Sequence, residues 1–341
     1  FDTKILENND VMIDDQFIGK INGLKLELDL KKGALETDIK SLKKAARQSV
    51  GPELEKRIQI IVDTGLIELK DNFKIYWNKF PIAKLIPGKD YLNPNFELIV
   101  ADILEQNQKQ KLVNFDEKWL KNKISTILKS LIDLKDLNEK NPSIKALAFQ
   151  LYENNGVLKR DQVSEYLKTL GQDERKILRD LGVKFGRYHV FLYKLIKPDA
   201  VSLRTMLWKN YNQKYYSLKP PTFGLNFLED NNLKNKNFML LCGFEKFDKH
   251  YVRIDILERL FMLIINSNTE KEIKMIPEML NLLGCSKVNF KKLLKNMNYK
   301  VIEKNDEVFF KYNPKKNNKK IFEKKTRKES PFGVLKNLSF S

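Results

Sequence analysis

Apolar residues follow a strand-like spacing in the first part of the chain. Residues 1–17 are polar and acidic and predict a loose lead-in. Ile18 to Asp29 alternates apolar and polar residues, which is typical of one half-buried strand. Three short apolar runs, turned at Asp71-Asn72 and Asn78-Lys79, then predict a β meander. We expect Pro87-Gly88 to end this meander.

A helical spacing of apolar residues lies between the predicted strand and the meander. It predicts one helix from about Ala34 to Gln48. Gly51-Pro52 interrupts the pattern, and Pro52 suits the first turn of a second helix because its missing N–H has no helical partner there. The second helix continues to Val62 and is closed by Gly65.

From about Ala101 to Tyr216 the spacing is helical. Apolar residues at i, i+3, i+4 and i+7 predict a helix that starts at Pro142 and ends at Gly156. Two further stripes lead into Gly182, where a turn and a basic, aromatic loop precede a helix that begins at Pro198. The polar run at 212–237 predicts a linker or surface loop.

Three amphipathic helices and a hairpin are predicted in the last part of the chain. The third helix carries a basic stripe of Lys287, Lys291 and Lys295, and the hairpin turns at Asn305-Asp306. A winged helix has this order of elements: a helix, a short turn, a basic helix and a two-stranded wing. This order and the basic stripe predict contact with the phosphates of a nucleic acid. The alternative is a small α+β packing module whose lysines are solvated.

The fold class predicted from these segments is α+β and mainly helical, with a small α/β-meander module, a central helical domain and a C-terminal winged-helix-like unit. The expected divisions are a lead-in at 1–17, a small α+β module at 18–100, a helical domain at 101–217, a linker or surface loop at 218–250, a winged-helix-like domain at 251–313 and a basic disordered tail at 314–341.

Composition adds a preference for an anionic partner. The chain has 63 Lys and Arg against 44 Asp and Glu, a net charge of +19. Nucleic acid fits this balance best and an anionic membrane surface second, although a Lys- and Asn-rich chain also arises from an AT-rich genome. Cys242 and Cys285 lack the spacing of a metal site or disulfide framework, which favours reduced thiols and a cytoplasmic location.

No apolar run reaches the length of a membrane span, so no membrane partner is expected. The chain begins with Phe1 and not with Met, which fits either a fragment of a longer protein or a processed or trimmed chain. The tail from Lys315 to Lys328 has eight basic residues and one acidic residue, Glu323, and it either adds phosphate contacts or aids solubility.

The stretch Gly182 to Trp208 interleaves aromatic and cationic residues. Rings stack on bases and cations hold phosphates, so this composition is typical of a strand-binding surface. The alternative is an aromatic core from which the cations extend into solvent. The candidate nucleic-acid-binding residues in this stretch are Lys184, Arg187, Tyr188, His189, Tyr193, Lys194, Lys197 and Arg204.

Two motifs of this stretch, GVKFGRYHVFL and KLIKPDAVSLRTMLW, resemble the C-terminal region of superfamily 2 helicases related to the mitochondrial RNA-degradation helicase, as found in alphaproteobacteria. That family has GVRFG followed by VFLP, LLKP and LRALLW, and Tyr193 stands where its proline is usual. The resemblance covers roughly residues 18 to 312 and includes further blocks in family order: IGKINGLKLELD, ARQSVGPELEKRI, PIAKLIPGKDYLNPNFELI, ALAFQLYENNGVL, YVRIDILERL and LLGCSKVNFKKLLKNMNYK.

The resemblance implies an accessory region of an ATP-dependent RNA or DNA helicase that clamps or guides the translocated single strand. Its motor domains, with their ATP and Mg²⁺, would precede Phe1. This chain contains no GxxxxGK[ST], no DExH-type box and no QxxGRxGR, so we expect no cofactor and no ATP hydrolysis by it alone. The alternative function is a docking module that tethers a helicase to a nuclease or the ribosome.

We predict no catalytic residue and no metal site in the chain. Asp255 and Glu258, at i and i+3, could share a metal, but Arg253 and Arg259 flank them and favour a solvated ion-pair face. His189 and His250 lack a nucleophile or carboxylate at a diagnostic spacing.

Overall fold

The computed structural model describes residues 2–29, 36–138, 140–231, 235–267 and 272–313. It is a mixed fold of α-helices and small sheets, and every strand pairing in it is antiparallel. Within these ranges no helix is both long and apolar enough to cross a bilayer. The predicted basic tail at 314–341 lies outside the described residues.

The N-terminal part consists of two four-stranded sheets and one long helix. Their common core contains Val11 and Ile21 of the first sheet, Leu24 of its β3–β4 turn, and Ile75 and Ile82 of the second sheet. The elements are β1 (Thr3–Ile5), β2 (Asp10–Ile13), β3 (Gln16–Asn22), β4 (Lys25–Leu28), α1 (Glu36–Thr64), β5 (Glu68–Leu69), β6 (Lys74–Trp77), β7 (Phe80–Asp90) and β8 (Asn93–Leu98).

Two predictions for the start of the chain are wrong. The expected loose lead-in at 1–17 contains β1, β2 and the first residues of β3, and Val11 and Ile13 are buried in its sheet. The expected single strand from Ile18 to Asp29 is a hairpin, because Gly23 takes a positive φ of 62° in the loop between β3 and β4. Asn22-Gly23 is a common hairpin dipeptide and was the signal for this turn.

Two prolines, Pro52 and Pro87, do not end the elements that they were predicted to interrupt. Pro52 lies inside the single helix α1 and does not separate two helices. The buried stripe of Ala46, Val50, Leu54 and Ile58 passes through it without a break, so packing outweighs the roughly 3 kcal/mol that an internal proline costs. Pro87-Gly88 likewise does not end the meander. It lies in β7, where the register with β8 shifts between Ile86 and Asp90.

The central part is helical, as predicted, but it also contains an unpredicted three-stranded sheet. The sheet order is β10–β11–β9. The elements are α2 (Gln106–Ile127), α3 (Lys129–Lys135), α4 (Pro142–Glu153), β9 (Val157–Lys159), a 3₁₀ turn (Arg160–Val163), α5 (Ser164–Lys168), α6 (Gln172–Asp180), β10 (Val183–Phe185), β11 (His189–Leu192), a 3₁₀ turn (Tyr193–Ile196) and α7 (Pro198–Tyr211).

The segment predicted as a linker at 218–250 is largely structured. Phe238, Met239 and Tyr251 are buried in a small core of their own, which holds its short elements together. These elements are β12 (Phe227–Glu229), α8 (Lys236–Leu241), β13 (Phe244–Phe247) and β14 (His250–Arg253), with the sheet order β12–β14–β13.

The last part has the three helices and the hairpin that the sequence predicts. Asn305 and Asp306 take positive φ values of 50° and 62° at the hairpin turn. The elements are α9 (Ile254–Asn266), β15 (Ile273–Lys274), α10 (Pro277–Leu283), α11 (Lys287–Asn296), β16 (Tyr299–Lys304) and β17 (Glu307–Tyr312), with the sheet order β15–β17–β16.

Residues 142–192, 198–253 and 254–312 repeat one topology, and we call them the first, second and third repeats. Each has a helix, a strand, one or two further helices and a hairpin whose last strand pairs with the first strand. Each hairpin is preceded by one residue with positive φ: Gly182 at 95°, Gly243 at 85° and Asn298 at 65°. This internal repeat was not predicted.

Asp116 is a buried carboxyl group without a partner. It lies on the inner face of α2 between Leu112 and Leu120 and is 0% exposed. Neither of its oxygens has a hydrogen-bond partner among the described residues. Burial, with a smaller contribution from the charge of Glu117, raises the pKa of Asp116 to about 8. The folded protein therefore holds this carboxyl group protonated at neutral pH.

We expect Asp116→Asn to be more stabilising at pH 7.5 than at pH 5. The wild-type carboxyl group of Asp116 is protonated in the folded protein and ionises on unfolding. Its contribution to the free energy of unfolding is therefore full below pH 4 and declines as the pH rises towards 8, by at most about 1.4 kcal/mol per pH unit. The asparagine side chain of the variant cannot titrate, so this decline is absent from it. Urea unfolding at both pH values measures the difference in free energy of unfolding between variant and wild type. Asp161→Asn, at an exposed position, is the control. An equal difference at pH 5 and 7.5 would contradict the assignment.

Candidate nucleic-acid interface

The turn between β10 and β11 is bound to α9 by one carboxylate. Glu258 accepts hydrogen bonds from the backbone N–H groups of Arg187 (2.5 Å), Tyr188 (2.9 Å) and His189 (3.3 Å). It is only 6% exposed, so the prediction that Glu258 lies on a solvated ion-pair face is wrong. Its partners lie about seventy residues away along the chain, a distance that no local pattern reports.

Gly186 makes this contact possible. A Cβ at Gly186 would lie 2.3 Å from Cδ of Glu258, closer than any side chain tolerates. The backbone of Gly186 has an ordinary φ, so the requirement for glycine comes from space and not from conformation. Arg160 donates to the Gly186 carbonyl at 2.6 Å and holds the turn from its other side.

Two candidate residues of the turn pack against the third repeat. The Arg187 guanidinium is exposed and lies 5.7 Å from the centroid of the Phe261 ring. Tyr188 contacts Phe261 edge-on, also at 5.7 Å, and its hydroxyl lies 3.4 Å from that of Tyr299. The Tyr188 ring is therefore held between two repeats, which contradicts its expected role as a free stacking surface for a base.

His189 and Arg204 are buried, so the prediction that they contact phosphates is wrong. His189 is 3% exposed and its Nε2 lies 2.9 Å from Oε2 of Glu245. Arg204 is 1% exposed and donates to the carbonyls of Asn155 and Leu241, at the C-terminal ends of α4 and α8. Those ends are partly negative and accept hydrogen bonds from two guanidinium nitrogens, while Nε has no hydrogen-bond partner among the described residues. Burial lowers the pKa of Arg204.

A groove of about 340 Å³, which we call the cationic groove, lies between the start of α7, the segment 221–225 and the start of α9. It brings together two lysines and two arginines with two exposed rings, Tyr193 at 42% and Phe223 at 54%. The four cations are Lys184, Lys197, Arg253 and Arg259.

Three cations of this groove have no carboxylate partner within the described ranges: Lys184, Lys197 and Arg259. Arg253 is bound to Asp255 by two hydrogen bonds, of 2.6 and 3.0 Å. Lys184, Tyr193 and Lys197 were predicted from sequence, whereas Arg253, Arg259 and Phe223 were missed because they join the groove from distant segments. Lys194 is exposed but does not line the groove.

The lysine stripe on α11 faces acidic groups of its own hairpin. Lys291 pairs with Glu303, and Lys287 Nζ lies 3.4 Å from the Asp306 carbonyl. The hydrogen bond and charge of Lys291 lower the pKa of Glu303, and Lys287 and Lys295 add to this effect. This stripe is partly neutralised within the chain and has less free charge than the cationic groove.

No metal ligand set is formed by the acidic residues considered in the sequence. In the part of the chain that the structure describes, no three His, Cys, Asp or Glu side chains are grouped to hold an ion. Asp255 is engaged by Arg253, and Glu258 by the turn of the first repeat.

No protein-family model, curated protein or solved structure matches the chain. The resemblance of residues 18 to 312 to helicases therefore stays a prediction.

We expect Gly186→Ala to destabilise the protein by about 1–3 kcal/mol, because the new methyl group collides with the Glu258 carboxylate. Glu258→Ala should cost a similar amount, because it leaves three backbone N–H groups without their acceptor. In the Glu258→Ala background the collision is absent, so Gly186→Ala should then cost little. Urea unfolding of the single and double variants measures this coupling.

Gly51→Ala is the matched control for this cycle. Gly51 lies inside α1 with no atom within 4 Å of an added Cβ, so alanine should stabilise the protein by about 0.5–1 kcal/mol. Additive effects of the Gly186 and Glu258 substitutions would show that the two groups do not constrain each other.

Proposed function

We propose that this chain binds single-stranded nucleic acid and serves as an accessory region of an ATP-dependent superfamily 2 helicase. The observation that carries the binding function is the cationic groove, where three cations without a carboxylate partner surround two exposed aromatic rings. Separated cations suit successive phosphates, and exposed rings suit unpaired bases, which are available only in single strands.

The groove lies where the second and third repeats meet the hairpin of the first. Lys184 comes from β10, Lys197 from the N-terminal end of α7 and Arg259 from α9. A strand bound here would contact all three repeats, and the Glu258 contact would keep the first and third in register. In the proposed helicase the upstream motor domains hold ATP and Mg²⁺, and this region guides the strand that leaves them.

The repeated topology fits three winged-helix-like units, of which only the last was expected from the sequence. Each repeat has a helix, a strand, one or two further helices and a hairpin wing whose last strand pairs with the first strand. This arrangement supports the description. The wing of the first repeat is docked on α9, and the lysines of α11 face their own wing. The proposed strand site therefore lies between units, whereas winged helices usually bind with one helix.

A second candidate function is docking of a protein partner such as a nuclease or the ribosome. It is favoured by exposed apolar side chains of the third repeat, namely Met262, Ile265 and Val288. Binding of a purified partner that persists after nuclease treatment and is lost in Met262→Ser/Ile265→Ser would support docking. Retained nucleic-acid affinity in that variant would separate the two functions.

Replacing Lys184, Lys197 and Arg259 together by alanine should weaken binding of a labelled single strand by at least about tenfold at low salt. Each lost phosphate contact flattens the slope of log affinity against log salt by about 0.7 for a single strand, so the slope should flatten by about 2. Fluorescence anisotropy over a NaCl series measures both quantities.

The matched control replaces Lys40, Lys43 and Lys44 by alanine. These exposed lysines on α1 carry the same total charge but lie outside the groove. If the control flattens the salt slope as much as the groove variant does, binding depends only on the net charge and the groove has no special role.

Tyr193→Ala should reduce single-strand affinity by about 1–3 kcal/mol at constant salt slope, because a stacking ring is lost while the phosphate contacts remain. Tyr193→Phe should retain the affinity. Tyr211 has a similar exposure but lies outside the groove, so Tyr211→Ala is the control. Equal losses in both alanine variants, measured by the same titration, would rule out stacking on Tyr193.

A further inference from the structure

A second groove of about 580 Å³, which we call the amide groove, adjoins the cationic groove at Phe244, a residue that lines both. Its walls come from the end of α4, the end of α7 and the start of α8. Beside four lysines and two glutamates, six of its polar lining residues carry side-chain amides: Asn154, Asn155, Gln162, Asn212, Asn235 and Asn237. An amide offers both a donor and an acceptor, whereas a lysine offers donors only.

Several of these amides have unused hydrogen-bonding capacity. Asn154 and Asn212 donate to the carbonyls of Gln150 and Trp208, so both retain an amide oxygen as acceptor. Gln162 and Asn237 are exposed, and within the described residues their side chains make no hydrogen bond. The groove therefore presents donors and acceptors side by side to a ligand.

An aromatic pair borders the same groove. Trp208 and Tyr215 stack with ring centroids 5.4 Å apart and an angle of 18° between their planes, and Lys214 Nζ lies 4.8 Å from the Tyr215 centroid. Tyr215 is half-buried and supported by Trp208, so its position is fixed before any ligand arrives. A fixed ring beside free amides suits a flat ligand that has hydrogen-bonding edges.

Two of the four lysines that line the amide groove are paired with carboxylates, whereas Lys214 and Lys236 are exposed and have no carboxylate partner among the described residues. Lys159 lies 3.3 Å from Glu245, and Lys246 lies 2.8 Å from Asp230. Burial alone would raise the pKa of Glu245, but the hydrogen bond and charge of His189, together with Lys159, outweigh it and lower that pKa. Glu245 thus stays ionised and keeps Lys159 occupied. Phosphate binding is favoured in the cationic groove instead.

We propose that the amide groove binds an unpaired nucleobase of the same strand and discriminates between bases through its amides. This inference rests on the proposed single-strand binding. Amide side chains form paired hydrogen bonds with base edges, and unpaired bases expose those edges fully. Phosphates in the cationic groove then fix the strand, and the base that reaches past Phe244 sets the sequence preference.

The experiment compares ten-nucleotide homopolymers of A, C and U with an abasic ten-mer in anisotropy titrations at one salt concentration. The wild-type chain should bind one homopolymer about tenfold more tightly than the others. In Gln162→Ala/Asn237→Ala that preference should fall to within about twofold, because the affinity for the preferred base drops while the abasic affinity stays constant.

The matched control is Gln48→Ala/Asn281→Ala, which removes two exposed amides outside both grooves and should leave the preference intact. Equal affinity of the wild-type chain for all three homopolymers would overturn base discrimination while leaving single-strand binding in place. An equal loss for the homopolymers and the abasic strand in the variant would likewise overturn it. No measurable binding of any strand would refute the proposed function as well.

Discussion

The contact between the first and third repeats depends on the buried carboxylate of Glu258. A charged group removed from water costs several kcal/mol unless its oxygens are satisfied, and here three successive backbone N–H groups of the first repeat provide the partners. Because Gly186 has no side chain, the turn of the first repeat packs directly against this carboxylate, where an added Cβ would collide with it. The turn at residues 186–189 therefore connects the first repeat to the third, and this structural role limits which of its residues can bind a ligand.

Packing determines which basic and aromatic residues of the Gly182–Trp208 stretch reach solvent. Tyr188 packs between repeats, and His189 and Arg204 are enclosed by Glu245 and by helix-end carbonyls. A smaller set reaches solvent, and two of its cations, Lys184 and Lys197, meet Arg259 of α9 in the cationic groove. A net charge of +19 indicates an anionic partner but cannot locate its site, because burial removes some cations from the surface and ion pairs neutralise others.

Sequence reasoning predicted elements that local spacing specifies. The helix after Pro142 and the hairpin at Asn305-Asp306 have their caps and turn residues within a few positions, and both are present. It failed where long-range packing decides the outcome. Pro52 remains helical because a buried stripe supports it on both sides. The sheets of the first two repeats have strands of three or four residues, too short for a clear alternation.

The candidate site was predictable only in the part that one continuous segment supplies. Lys184, Tyr193 and Lys197 lie within fourteen residues of each other, whereas Arg259 and Phe223 reach the groove through the arrangement of the repeats. The same arrangement places the amide groove next to it across Phe244. The cationic groove offers three cations without a carboxylate partner among the described residues, whereas the amide groove adds six side-chain amides to its charged residues. In the proposed complex, phosphate contacts and base contacts would lie at these two different places, and affinity and base preference would depend on different residues of one fold.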